Sequence, residues 1–305
     1  MNPASLSELR AAFGDRMQEN VPLSSYTAAR IGGPADVLVF VRNADELAQA
    51  AGKVWEMDLP FTLLGGGSNV LVSDRGVRGV VIINRARLLK FNSQADLPTV
   101  HAETGVTPND IAQRAARLGL TGFEWAAAIP GSLGGAVYGN AGAFGGDMAG
   151  NLISVELFHR QLGRLSWPAS KLEYGYRTSL LKREHLPVLV LSADLALKHG
   201  NRPEIQGKME QYSIRRRSSQ PPGASMGSMF KNPPADKAGR LLEAAGLKGK
   251  SVGNASISTQ HANFFINNGQ TRAEDMRALI ELAQKAVLDQ FGIKLELEVE
   301  LIGEW

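Results

Sequence analysis

Glycine sets the strongest limit on what this chain can build. Its 33 glycines are not spread evenly over the 305 residues. They gather at positions 32–33, 65–67, 131–135, 139–146 and 223–227. Glycine loses more backbone freedom on folding than any other residue and weakens helix and strand interiors. Such clusters therefore mark tight turns, or places where backbone closes on a ligand. The remainder is an ordinary globular composition, 44% hydrophobic and 21% charged, long enough for two or three domains around a sizeable core.

Several chemistries are excluded at once. There is no cysteine, which removes disulfides, thiolate catalysis and cysteine metal sites. The five histidines, His101, His159, His185, His199 and His261, are scattered with no ligand spacing, so no metal is expected. A formal net charge of +3 suits an anionic small molecule and is too weak to argue for nucleic acid. The first residues, MNPASLSELRAAFGD, carry no leader-like apolar stretch, and no apolar run approaches the ~18 residues of a membrane helix. The expectation is a cytoplasmic protein with no membrane or nucleic-acid partner, and a monomer.

Helices are announced by their caps. Asn43-Ala-Asp-Glu46 opens one that must end before Pro60. Thr107 with Pro108 at the first helical position opens a second, with Ile111, Ala115 and Leu118 on its buried stripe. Thr271-Arg-Ala-Glu274 reads as a capping box that starts a long helix stopping at Gly292. Strand-like runs cover 36–41, 61–64, 79–84, 188–191, 264–267 and 295–302. Helices and strands are mixed without strict alternation, which favours an α+β fold over a doubly wound sheet.

LLGGGSNVLVSD, from Leu63 to Asp74, reads as strand, glycine turn, strand. Its N–H groups can turn inward as an anion nest, with Ser68 and Asn69 adding side-chain donors; a plain glycine hairpin turn is the competing reading. It is not a dinucleotide fingerprint, because Val70 stands where the third glycine belongs, and no GxxxxGK[ST] exists. IPGSLGGAVYGNAGAFGGD, from Ile129 to Asp147, holds seven glycines and one formal charge. That suits backbone packed on a flat, mostly apolar ligand such as an aromatic ring system. A buried connection between sheets is the alternative.

Taken in order, seven pieces resemble the UDP-N-acetylenolpyruvoylglucosamine reductases of peptidoglycan precursor synthesis, the MurB family. They are TAARIGG from Thr27, the two glycine stretches, YGYRTS from Tyr174, GSMFKNP from Gly227, HANFFINNG from His261, and LEVELIGE from Leu297. The resemblance implies a two-part FAD-binding module of the vanillyl-alcohol-oxidase (PCMH) type and a C-terminal α+β substrate domain. The expected boundaries are 1–84, with 295–305 returning to it, then 85–214 and 215–294. It implies FAD and NADPH as cofactors and a UDP-sugar enolpyruvyl ether as substrate.

The resemblance also implies roles for individual residues. Leu64, Gly65, Gly66, Gly67, Ser68 and Asn69 in the first stretch would wrap the flavin. So would Ile129, Pro130, Gly131, Ser132, Gly134, Gly135, Asn140, Ala141 and Gly142 in the second. Ser228 matches the family's proton donor, Arg177 its active-site arginine, and Glu298 its glutamate before valine in the last strand. Tyr176, Arg177, Lys231, Asn232 and Arg215 are expected at the substrate. Alternation alone cannot choose among Glu296, Glu298 and Glu300, which share one strand face. Arg216, Arg217, Arg240 and His261 have no assigned role. Residues 197–211 contain no tyrosine, so the chain resembles the subtype lacking a tyrosine-bearing insertion. An alcohol oxidase on the same module, or a flavin-binding protein without turnover, would not need Ser228, Arg177 and Glu298 together.

Overall fold

The computed structural model describes residues 1–305, and the chain divides into two compact units. The first comprises 1–18, 38–66 and 81–215; the second comprises 19–37, 67–80 and 216–305. No helix is long and apolar enough to cross a membrane.

The first unit is built on a five-stranded antiparallel sheet. Its strands lie in the order Gly163–Pro168, Leu152–His159, Val188–Ala196, Thr99–Glu103, Leu89–Asn92. Period-two alternation sends Val100, Ala102, Ala193 and Leu195 into the core and leaves His101 and Asp194 paired on the opposite face. Two capped helices form as their sequences predict. Asn43 Oδ1 accepts the Glu46 N–H (2.8 Å) ahead of Ala44–Glu56, and Thr107 Oγ1 accepts the Asp110 N–H (3.0 Å) ahead of Pro108–Arg117.

The second unit has a four-stranded antiparallel sheet, in the order Ala224–Ser228, Phe264–Asn267, Ala255–Ile257, Ser251–Val252. The long helix Ala273–Phe291 buries Met276, Leu279, Ile280, Ala283 and Val287. The α+β expectation holds: these two sheets, the five-stranded one and the four-stranded one of the second unit, are antiparallel, and helices do not alternate with their strands.

Three local expectations are corrected. The Thr271–Glu274 capping box does not form. Thr271 Oγ1 instead donates to the Asn254 carbonyl (2.7 Å), and the helix starts at Ala273. Its first N–H groups are met by Asp74, whose carboxylate accepts from Ala273 (2.8 Å) and Glu274 (3.0 Å). One carboxylate thus satisfies two orphan donors at the positive end of the helix dipole. Asp74→Ala is expected to lower the unfolding free energy by about 1–2 kcal/mol in urea titrations, whereas Thr271→Ala should not reproduce the loss of a cap. The 295–302 strand is regular only at Glu300–Ile302, which pairs in parallel with Val70–Val72. Finally, Leu118, expected on the buried stripe of the Thr107-capped helix, is 43% exposed, because the helix ends at Arg117 and Leu118 is its C-cap. The second glycine stretch contains the helix Leu133–Gly139, which no cap or period announced.

Candidate active site

In the first unit the two glycine stretches meet backbone to backbone. The strand Phe61–Leu64 runs into Gly65 and Gly66. A Cβ on Gly66 would stand 2.7 Å from the Gly131 Cα, and one on Gly65 would stand 2.0 Å from the Ser132 hydroxyl oxygen. Only hydrogen fits at either position, and Gly131 itself has φ +102°. Other glycines of the same stretch face open space: a Cβ on Gly139 or Gly145 meets nothing within 4 Å. Glycines pressed together on one side and bare on the other fit a cradle for a flat cofactor.

The helix Leu133–Gly139 survives its glycines because both ends are satisfied from outside. Ser132 caps its start, where Leu133 N–H also donates to Val106 O (2.7 Å) and Gly134 N–H to Thr104 O (2.9 Å). At its end Asn140 takes the left-handed conformation, φ +47°. The terminal carbonyls of Val137 and Tyr138 accept from the hydroxyls of Tyr174 (2.8 Å) and Ser179 (2.7 Å). The YGYRTS run is therefore first of all the cap of the glycine helix. Burial, with Asp147 adding to it, pushes the Tyr174 phenol well above its ordinary range and keeps it a donor.

Between those two hydroxyls sits Arg177. Gly175 and Thr178 exchange backbone hydrogen bonds of 3.1 and 3.3 Å, closing a tight turn that holds Arg177 at φ +55°. A non-glycine residue there is strained, and strain of this kind persists where surroundings over-determine it. Asn140 does so: its Nδ2 donates to Gly175 O (3.0 Å) while its Oδ1 accepts from Ala149 N–H (3.0 Å). Its amide thus ties the cradle to the arginine turn. The Arg177 guanidinium lies over the exposed Tyr176 ring and donates to Gly142 O (2.8 Å). Further along, Phe144 and Tyr212 stack in parallel at 4.3 Å, with the Arg215 guanidinium 5.9 Å from the Phe144 centroid.

The second unit carries the other predicted residues. Gly67 has φ +58°, and a Cβ there would fall 2.0 Å from the Tyr26 carbonyl oxygen. Asn69 Nδ2 donates to Glu298 O (2.9 Å), and the Asn69 carbonyl accepts from Glu300 N–H (3.0 Å). The end of the first glycine stretch thereby grips the segment of Glu298. Around the isolated bridge between Phe230 and Leu297, Glu298 N–H donates to Met229 O (2.9 Å) and Glu296 O accepts from Lys231 N–H (2.9 Å). The segment bearing Ser228 is thus laid directly against the segment bearing Glu298. Ser228 is half-buried, and no protein group holds its hydroxyl. Met229 and Phe230 beside it are buried.

The three glutamates separate by environment. Glu296 is largely exposed and pairs with Lys231 (3.4 Å), which tempers any field the lysine could project. Glu298 lies in the doubly paired stretch, and Glu300 opens the parallel pairing with Val70. Asn232 Oδ1 accepts the Ala238 N–H (3.0 Å) that starts the helix Ala238–Ala244. Arg240 forks onto Asp236, and Arg215–Arg217 occupy the last turns of the helix Arg202–Ser219. Burial holds the Arg216 guanidinium below its ordinary range.

His261 packs edge-on against Phe264, and its Nδ1 accepts the Asn263 N–H (3.2 Å). Burial first, then Lys248, hold it below its ordinary 6.5, with Glu243 opposing. Unfolded chains then bind more protons between the folded value and 6.5, so its contribution to stability is complete above 6.5 and is lost as pH falls through the folded value. Melting curves against pH should show a shallower acid loss for His261→Gln than for the wild type.

Comparison with known proteins decides what this arrangement belongs to. A model for an FAD binding domain matches residues 35–165, and one for the C-terminal domain of UDP-N-acetylenolpyruvoylglucosamine reductase matches 219–302. The reductase of Chloroflexus aggregans is 41% identical over 94% of this chain and 97% of its own length. The chain belongs to the UDP-N-acetylenolpyruvoylglucosamine reductase family. The Bacillus velezensis reductase is 38% identical over 98% of both chains. The crystal structure of the family's enzyme from Thermus caldophilus superposes with a TM-score of 0.79 at 37% identity, covering 93% of this chain and 99% of that one. The protein is accordingly an FAD-dependent oxidoreductase of peptidoglycan synthesis.

Sequence reasoning missed Asp74 as a cap, Tyr174 and Ser179 as the seal of the glycine helix, and Asn263 beneath the Ser228 segment. All four stood in quoted motifs, LLGGGSNVLVSD, YGYRTS and HANFFINNG, but nothing local to them named their partners.

Proposed function

We propose that this chain reduces UDP-N-acetylglucosamine enolpyruvate to UDP-N-acetylmuramate with electrons from NADPH, and that Ser228 delivers the proton. The glycine stretches around Gly65, Gly66, Gly131 and Ser132 would hold FAD, which when bound would supply, at C3 of the enolpyruvyl ether, a hydride drawn from NADPH. C2 of the substrate is left with the electron pair and must gain a proton. In this reading the Ser228 hydroxyl bonds its proton to C2 while its O–H bond breaks, and solvent restores the hydroxyl afterwards. Arg177 receives the substrate carboxylate in its planar fork and stabilises the charge that spreads into it. Glu298, on the segment paired with that of Ser228, polarises the developing enol or assists protonation at C2. Tyr176, Lys231, Asn232 and Arg215 bind the rest of the UDP-sugar.

The observation that carries this reading is the Glu298 N–H to Met229 O bond of 2.9 Å, which sets Glu298 beside the Ser228 segment. The division into 1–84 with 295–305, 85–214 and 215–294, a monomeric state, a cytoplasmic location and the subtype without the tyrosine insertion belong to the same proposal. The test follows flavin absorbance without oxygen. NADPH should bleach the flavin, and the enolpyruvate should then restore its colour. Bleaching that only oxygen reverses would sink the substrate assignment and leave the flavoprotein assignment standing.

A further inference from the structure

The backbone N–H and carbonyl groups of Met229 and Phe230, the two residues after Ser228, all have partners, and one side chain supplies two of them. The strand Ala224–Ser228 pairs with Phe264–Asn267, but the register breaks between Ser225 and Ser228, where Gly227 has φ +79°. Beyond Ser228, which is opposite Phe264, the partner strand has ended and the regular ladder cannot continue. Asn263 takes over. Its Oδ1 accepts the Phe230 N–H (3.0 Å), its Nδ2 donates to the Phe230 carbonyl (2.8 Å), and its own carbonyl accepts the Met229 N–H (2.8 Å). On the other edge Met229 O and Lys231 N–H are bound by Glu298 and Glu296. Asn263 is only 3% exposed.

A carboxamide holds one donor and one acceptor in a plane, as a peptide group does, so Asn263 acts as an extra rung of the sheet. Aspartate has the same shape but only acceptors, and would set an oxygen against the Phe230 carbonyl. Glutamine adds a methylene that the buried site must accommodate. His261 secures the clamp in turn, by accepting the Asn263 N–H.

We infer that Asn263 is the positioning residue that aims Ser228. This rests on the reading of Ser228 as proton donor. The residue touches neither substrate nor flavin in this role. It works by fixing the two peptides after Ser228, whose hydroxyl no protein group restrains. A misplacement of about 1 Å at a reacting group can reduce rate by about 100-fold, so the expected effect is large and confined to the proton-delivering step.

The test uses the FAD-loaded protein in single-turnover experiments without oxygen. Asn263→Asp and Asn263→Ser should bleach with NADPH at rates within about two-fold of wild type, with full flavin content. Their re-oxidation by UDP-N-acetylglucosamine enolpyruvate should slow by about 10- to 100-fold. The double variant Ser228→Ala/Asn263→Asp should be no slower than Ser228→Ala, because the clamp acts only through that hydroxyl. Wild-type re-oxidation in both single variants overturns the inference. So do additive losses in the double variant, or a parallel fall of flavin content and both half-reactions, which would make Asn263 merely structural. If Ser228→Ala itself re-oxidises normally, the proton-donor reading has failed, and the inference with it. That outcome is distinguished because the Ser228 variant is measured alone.

Discussion

Ser228→Ala should leave the bleaching of flavin by NADPH within about two-fold of wild type and slow re-oxidation by the enolpyruvyl ether by about 10²- to 10⁴-fold, the range spanned by a positioned acid. The asymmetry follows from where the hydroxyl stands. No protein group holds it, and the segment is locked through Met229, Phe230 and Lys231 rather than through Ser228 itself. Removing the oxygen therefore orphans no buried partner, and stability should change by less than about 0.5 kcal/mol. Stopped-flow absorbance reads both halves of the cycle in one sample. Equal slowing of both would indicate that the segment had collapsed. A re-oxidation rate equal to wild type would transfer proton delivery to another group, with Glu298 on the adjacent segment the first to examine.

The second large effect concerns the glycine cradle and contrasts two alanines. At Gly66 the added methyl would lie 2.7 Å from the Gly131 Cα, a contact with backbone that no side-chain rotation relieves. The two stretches must part, so Gly66→Ala should lose at least about ten-fold in flavin content on purification, a change of about 1.4 kcal/mol or more. At Gly139 the methyl meets no protein atom. Replacing a helical glycine by alanine favours the helix by about 0.5–1 kcal/mol, so the flavin-free Gly139→Ala protein should melt no lower than wild type. Its flavin affinity should nonetheless fall, because the methyl occupies space that the cradle keeps bare. Fluorescence titration of FAD into both proteins reads the difference. Undiminished affinity in Gly139→Ala would show that the ligand does not use that side of the helix.

Local signals were legible in the amino-acid sequence wherever cause and effect lie within a few residues. Asn43 and Thr107 cap their own helices because the acceptor and the N–H groups it meets are three positions apart. The strand at 79–84 and the apolar stripe of the 108–117 helix follow from periodicity alone. The glycine clusters announced close approach of backbone, and their motifs, with those around Ser228, Arg177 and Glu298, carried the family.

What the sequence could not determine is which distant group completes each hydrogen bond. Thr271 and Glu274 form a sound capping box on paper, yet Asp74 wins because it delivers a carboxylate with two acceptors to the same N–H groups. Residues 133–139 announced no helix, because glycine disfavours one. They form one because the hydroxyls of Tyr174 and Ser179 and the amide of Asn140 secure its end. Asn263 is one polar residue in an apolar run until the fold lays it against Phe230. A chain states its own propensities residue by residue, so composition, caps, periodicity and motif order are determined locally. A buried polar group must find a partner wherever the backbone brings one, and only the tertiary structure decides which partner that is.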